Sequence, residues 1–171
     1  LSGDIPSITG TGYPKPMSSK QSRGELYVLV QAILLIALFF GPKDLLGLPT
    51  KVNQGLWLAG QILFYLGITI AIWAAILLGP NLTPLPKPKQ NGELIRTGLY
   101  RFVRHPIYFG VILVCFGWAG IEQTLYTLVL AIILLIFFDL KSRQEEIWLT
   151  EKFSEYAEYK ITTKKLIPFV Y

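Results

Sequence analysis

Residues Leu94–Gly110 read LIRTGLYRFVRHPIYFG, and they stand directly between two long apolar segments. The stretch holds the chain's single histidine, His105, with Arg96, Arg101 and Arg104 and two tyrosines, Tyr100 and Tyr108. A knot of cations and aromatics followed at once by Pro106 and an apolar run is the pattern of a membrane boundary carrying a site. Proline is tolerated at the first position of a helix, where its missing N–H has no partner to lose. Pro106 is therefore expected to start a helix. Arg104 and His105 then sit at the positive end of that helix, suited to meet a carboxylate or phosphate.

The composition agrees with a membrane setting. Of 171 residues, 52% are hydrophobic and only 16% are charged, against about 25% charged in a soluble domain. The apolar residues lie in blocks rather than alternating stripes, which predicts an all-α integral membrane protein with about four spans. One cysteine and one histidine cannot make a disulfide framework or a zinc site, so no metal is expected. Cys115, in an apolar run, reads as a small core residue. The net charge is +5, but it flanks apolar blocks, and no nucleic-acid partner is expected.

Residues 1–22 are rich in Gly and Pro and lack apolar periodicity, which predicts an irregular arm outside the membrane. The chain begins at Leu1 rather than Met, as a processed or shortened product would, and has no apolar core of a signal peptide. Residues 23–80 are expected to hold two spans. The first runs over 25–40, its apolar part 26–40 interrupted only by Gln31 and ended by Gly41-Pro42; the second runs over 56–78 and ends at Gly79-Pro80. Gly55, Gly60 and Gly67 would let a neighbouring helix approach closely. Trp57 and Trp73 suit interfacial positions or packing equally. The short stretch LLGLP between these spans is expected to lie along the interface. Prolines at 80, 84, 86 and 88 then forbid a helix and favour an extended loop.

Residues 81–171 form the third region. Apolar segments over 107–121 and 125–138 are joined only by Glu122-Gln123-Thr124, which predicts a tight helical hairpin. Asp139, Lys141 and Arg143 are expected to mark the return to water. A tail helix should continue over 141–160, with Glu146, Leu149, Phe153 and Tyr156 on one face. With four spans, 14 of the 16 Lys and Arg fall on the side of both termini, and only Lys43 and Lys51 on the other. That asymmetry places both termini and the His105 stretch on the cytoplasmic side, or the stromal side in a plastid.

Two adjacent carboxylates, Glu145 and Glu146, close to lipid require a cation, and Arg143 or Arg104 could serve. By residue type alone, a solvated helix start explains them equally well. Arg96 and Arg101 read as boundary residues whose stems lie along lipid. Tyr156 and Tyr159 read as packing residues of the tail, with Tyr159 a candidate for ligand contact.

Together, LIRTGLYRFVRHPIYFG, then RQEE with Leu149, then FSEYAEYK and KLIPF resemble the isoprenylcysteine carboxyl methyltransferase family, and related integral-membrane phospholipid methyltransferases share part of the pattern. The resemblance covers roughly residue 84 to the end. It implies an S-adenosylmethionine site built without a nucleotide-binding α/β fold. Arg104, His105 and Tyr108 would hold the methionine end, and Glu145 and Glu146 would contact polar groups or brace the site. Gly98, Tyr100 and Gly110 would shape the backbone around it. His105, Arg104 and Glu146 are the residues expected to carry catalysis. The expected acceptor is lipidic or prenylated, carboxylate O-methylation being favoured, with membrane lipids as neighbours. Two other readings stand beside it: a membrane reductase using NADPH, and a non-catalytic scaffold subunit of a larger membrane assembly, such as a photosynthetic one.

Overall fold

The computed structural model describes residues 24–43 and 53–171. The expected arm over 1–22 and the LLGLP stretch lie outside the described residues. Five α-helices follow one another: α1 Glu25–Phe40, α2 Gln54–Leu78, α3 Pro106–Glu122, α4 Leu125–Lys152 and α5 Tyr156–Thr162. Among the described residues there is no β-strand, only a single parallel bridge between Val103 and Lys164. The helices Gln54–Asn81 and Leu125–Lys152 are long and apolar enough to cross a membrane. Helices α1 and α3 are equally apolar but shorter, at 16 and 17 residues, near the lower limit of about 17 for a span.

The expected boundaries follow from local chemistry. Gly41 closes α1, donating its N–H to Ala37 O, and Tyr126 donates to the same carbonyl at 2.9 Å. Asn53 caps α2 by accepting from Leu56 N. Pro106 occupies the first turn of α3. The hairpin turn is as tight as its length requires: Gln123 takes the left-handed conformation at the end of α3, and Thr124 caps α4 through its hydroxyl. The Gln123 amide also clasps the start of α2, accepting from Asn53 N at 2.8 Å and donating to Asn53 O at 2.9 Å.

Helices α2 and α3 pack backbone to backbone. A Cβ at Gly67 would fall 2.5 Å from Gly110 O, one at Gly60 2.7 Å from Gly120 C, and one at Gly117 2.4 Å from Phe64 N. Two of the three glycines expected to allow such an approach do so; Gly55 does not, since among the described residues only Asn53 of its own helix start lies near it. Helix α4 packs on α3, and α1 packs on α4. Between them lie Leu38, Ile112, Cys115, Leu134 and Phe138, so Cys115 is the core residue expected. The outward faces carry large exposed side chains such as Leu29, Ile33, Ile62, Ile76 and Ile136, as lipid-facing helices do.

Two expectations are corrected. The tail is not one helix over 141–160. Helix α4 ends at Lys152, Phe153 is extended (φ −118°, ψ 111°), and α5 begins anew at Tyr156. The break turns α5 back over the site, burying Tyr156 and Tyr159; a straight helix would carry both away from it. Nor do Asp139, Lys141 and Arg143 all return to water. Lys141 is only 2% exposed, because α1 lies against α4 there and Gln31 accepts a hydrogen bond from its ammonium at 2.6 Å.

Candidate functional site

The segment before α3 is fixed by its own main chain. Gly98 adopts φ +61°, a conformation glycine takes without steric cost, and packs against Leu77 at the end of α2. The short 3-10 turn Gly98–Arg101 follows. Tyr100 is buried and donates to Ala74 O of α2 at 3.3 Å, while its own carbonyl accepts from the Tyr159 hydroxyl of α5. The C-terminal segment runs alongside: Arg104 N donates to Lys164 O at 2.8 Å and His105 N to Lys165 O at 3.1 Å.

The side chains then converge. Arg104 Nε donates to Glu146 Oε1 at 2.6 Å, and its Nη1 donates to the carbonyls of Lys160 and Thr163. These side chains are 9% and 7% exposed, and removing one partner of so buried a pair costs about 3–5 kcal/mol. His105 lies between the two glutamates, with Nδ1 3.7 Å from Glu145 Oε2 and Nε2 3.4 Å from Glu146 Oε1. Nε2 is buried and makes no hydrogen bond among the described residues. The imidazole stacks on Tyr108, ring centroids 5.4 Å apart and planes 3° from parallel. Tyr108 in turn donates to Glu145 Oε2 at 2.6 Å. Of the two cations offered by the sequence as partners for the glutamates, Arg104 takes Glu146, and Arg143 pairs with Asp139 instead.

These groups border a cavity of about 400 Å³ between α1, α3, α4 and the proline-rich loop. Arg104, His105, Tyr108, Tyr100 and Glu145 line it; Gly98, Gly110 and Glu146 do not. Gly110 serves the α2–α3 contact, and Glu146 stands behind Arg104 and His105, with Lys160 Nζ 3.4 Å from its other oxygen. Apolar walls come from Val28, Leu85, Ile107, Leu149 and Phe153. Desolvation by burial holds the Tyr100, Tyr156 and Tyr159 hydroxyls well above their usual pKa, with nearby charges adding smaller effects, so all three remain protonated at neutral pH.

Sequence reasoning missed Lys141 and Gln31, which also line the cavity. Gln31 carried a signal, as the single polar residue interrupting the apolar run of α1. Arg96 and Arg101, read as boundary residues, stay outside the cavity; Arg96 forms an exposed pair with Glu155 at 3.4 Å.

The chain is 34% identical over 119 residues to protein-S-isoprenylcysteine O-methyltransferase of Saccharomyces cerevisiae, a match covering 65% of this chain and 48% of the relative. It is 32% identical over 120 residues to 3-oxo-5-alpha-steroid 4-dehydrogenase 1 of Mus musculus, covering 70% of this chain and 44% of that protein. The chain thus spans about half the length of these curated relatives. Among solved structures, a eukaryotic intramembrane Ras methyltransferase, isoprenylcysteine carboxyl methyltransferase, superposes with a TM-score of 0.64 at 21% identity, over 91% of this chain and 55% of that one. That likeness establishes a shared helical membrane fold. Residues 56–156, from α2 through the hairpin to the start of α5, match the phospholipid methyltransferase family, and with that match spanning more than half of its length, the chain belongs to the phospholipid methyltransferase family.

Proposed function

We propose that this protein is an integral-membrane, S-adenosylmethionine-dependent methyltransferase acting on a lipidic or prenylated acceptor, with carboxylate O-methylation the favoured reaction. One observation carries the reading. The RHPxY residues and the Glu145-Glu146 pair, about 40 positions apart in sequence, meet as a single buried polar cluster at the end of an apolar cavity. Family membership and the shared fold support it.

The residues present fit the cofactor. The cavity offers a carboxylate, Glu145, suited to an ammonium or to ribose hydroxyls. Beside it lies a stacked His105–Tyr108 face, and Val28, Leu85, Ile107, Leu149 and Phe153 supply apolar wall. Tyr108, Glu145, His105 and Arg104 would hold the polar end. When bound, S-adenosylmethionine supplies a methyl that is already electrophilic on its sulfonium. A carboxylate acceptor is ionised at neutral pH and needs no general base, so the chain's residues have to align it and exclude water. Arg104, tied to Glu146 and two carbonyls, fixes His105 and the C-terminal segment in place. The α5 turn closes the cavity from the water side, and Val28, Leu85 and Ile107 present an apolar surface to a lipid tail. Four spans, with α1 and α3 as the short ones and both termini on the cytoplasmic side, complete the reading.

Titration calorimetry on the detergent-purified chain tests it. Micromolar binding of S-adenosylmethionine is expected, weakened at least about tenfold in His105→Ala, equivalent to about 1.4 kcal/mol. The likeness to a steroid dehydrogenase makes NADPH the competing ligand. NADPH binding without S-adenosylmethionine binding would overturn the methyltransferase reading in favour of a reductase.

A further inference from the structure

The cavity contains a buried cation that the cluster above does not use. Lys141 is 2% exposed and lines the cavity from α4. Its ammonium donates to Gln31 Oε1 at 2.6 Å and lies 5.0 Å from the centre of the Tyr108 ring. Neither partner carries a negative charge. Among the described residues, no carboxylate comes within 4.0 Å of it. Glu145, one turn along the same helix, has its Oε2 already taken by the Tyr108 hydroxyl.

A buried ammonium is costly unless an anion accompanies it, and one facing a cavity inside a membrane helix bundle marks a ligand path. A lysine of the C-terminal segment gives the contrast. Lys165, 7% exposed, is equally buried but meets Asp139 Oδ1 at 2.6 Å and the Asp139 carbonyl at 3.1 Å. That lysine is paired and structural. Lys141 has a neutral amide holding one of its three N–H donors and an aromatic face beneath it, which leaves donors free toward the cavity. Gln31 and Tyr108 orient the ammonium without neutralising it, as an anion-binding group requires.

We propose that Lys141, positioned by Gln31, is the group that receives a ligand carboxylate in this cavity. The proposal rests on the methyltransferase reading, and two carboxylates are within its chemistry: that of S-adenosylmethionine itself and that of a prenylated acceptor. A cation sited there makes Lys141 a determinant of specificity, discriminating an anion from its neutral isostere through the unpaired charge left when the anion is missing.

Calorimetry on the full chain in detergent distinguishes the sources. The variants are Lys141→Met, which removes the charge at similar length, and Lys141→Gln, which keeps a donor for Gln31. Thermal unfolding of each shows that it is folded. If the cofactor carboxylate docks there, both variants bind S-adenosylmethionine at least about tenfold more weakly, while the decarboxylated analogue binds wild type and variants alike. If the acceptor carboxylate docks there, S-adenosylmethionine binding is unchanged. The affinity for N-acetyl-S-farnesylcysteine then falls at least about tenfold, and that for its methyl ester does not. Wild-type affinity for both carboxylate probes in the folded variants, with S-adenosylmethionine binding still lost in His105→Ala, overturns the role of Lys141 and leaves the site reading standing. Wild-type protein that binds neither probe overturns both.

Discussion

At the residue scale, the buried hydroxyls of the α5 turn separate two kinds of tyrosine. Tyr100 and Tyr159 each donate a hydrogen bond, to Ala74 O and to Tyr100 O respectively. Tyr156 is 1% exposed and its hydroxyl has no partner among the described residues. An unpaired buried hydroxyl is a liability, whereas the ring beneath it, edge-on to Tyr159 at 5.7 Å, packs well. Tyr156→Phe is therefore expected to be neutral or to stabilise by up to about 1 kcal/mol at pH 7. The same residue governs alkaline behaviour. Burial raises its folded pKa above the ordinary value of 10.0, so the unfolded chain releases the proton first. Its contribution is constant below pH 10 and is lost as pH rises above that value, because the folded state then binds more protons than the unfolded one. Thermal unfolding between pH 8 and 11 should show stability falling above about pH 10, less steeply in Tyr156→Phe. An identical alkaline slope in that variant would contradict the assignment.

At the element scale, the α2–α3 contact decides where the site's main chain lies, since Leu77, Ala74 and Gly110 all belong to it. Glycine to alanine ordinarily stabilises a helix by about 1 kcal/mol. At Gly67 the sign should reverse, because a Cβ there would meet Gly110 O and Val114 N of the facing helix at 2.5 and 2.7 Å. Gly67→Ala is expected to destabilise by about 1–3 kcal/mol, and Gly55→Ala, with no facing helix near it, to be neutral or stabilising. Melting temperatures in detergent compare the two; a Gly67→Ala protein that melts no lower than wild type would refute the close contact. This element was legible in the sequence because its signals are local. Gly41-Pro42, Gly79-Pro80 and Pro106 mark helix ends by backbone chemistry alone, and three residues between apolar runs leave room for nothing but a hairpin. The break at Phe153 was not legible. Ser154 is no weaker a helix former than Phe153 and Tyr156 beside it, so propensity does not single out a break, and the turn is held from outside, by Tyr159 on Tyr100 and Arg104 on Lys160 and Thr163. Lys141 escaped for the same reason: its partner Gln31 is 110 positions away, and charge next to an apolar run reads as solvated until that contact is known. The Arg104–Glu146 pair was accessible because few cations and few carboxylates border the apolar blocks, and motif spacing singled out both.

At the scale of the whole molecule, charge and architecture divide the protein into two ends. The cavity, the proline-rich loop, α5 and the C-terminal segment gather at one end. At the other, Lys43 pairs with Glu122 at 2.5 Å, and Gln123 clasps Asn53. Between these ends the outward surface is apolar, with Ile33, Ile36, Ile72 and Ile136 exposed. An apolar belt of this kind belongs in lipid, and in the proposed topology the excess of Lys and Arg would turn the cavity end toward the cytoplasm. If all four long helices cross, Lys43 lies on the side opposite Arg101 and Glu158. Single cysteines can be introduced at these three exposed or half-exposed positions in a Cys115→Ala background, since Cys115 is the chain's one cysteine and is fully buried. A membrane-impermeant maleimide applied to sealed vesicles should label Arg101→Cys and Glu158→Cys together and Lys43→Cys only from the other face. Labelling of all three from one face would mean that the chain between Lys43 and Arg101, which contains α2, enters and leaves on the same side, and it would overturn the four-span topology, since Lys43 is held against Glu122 at the far end of α3.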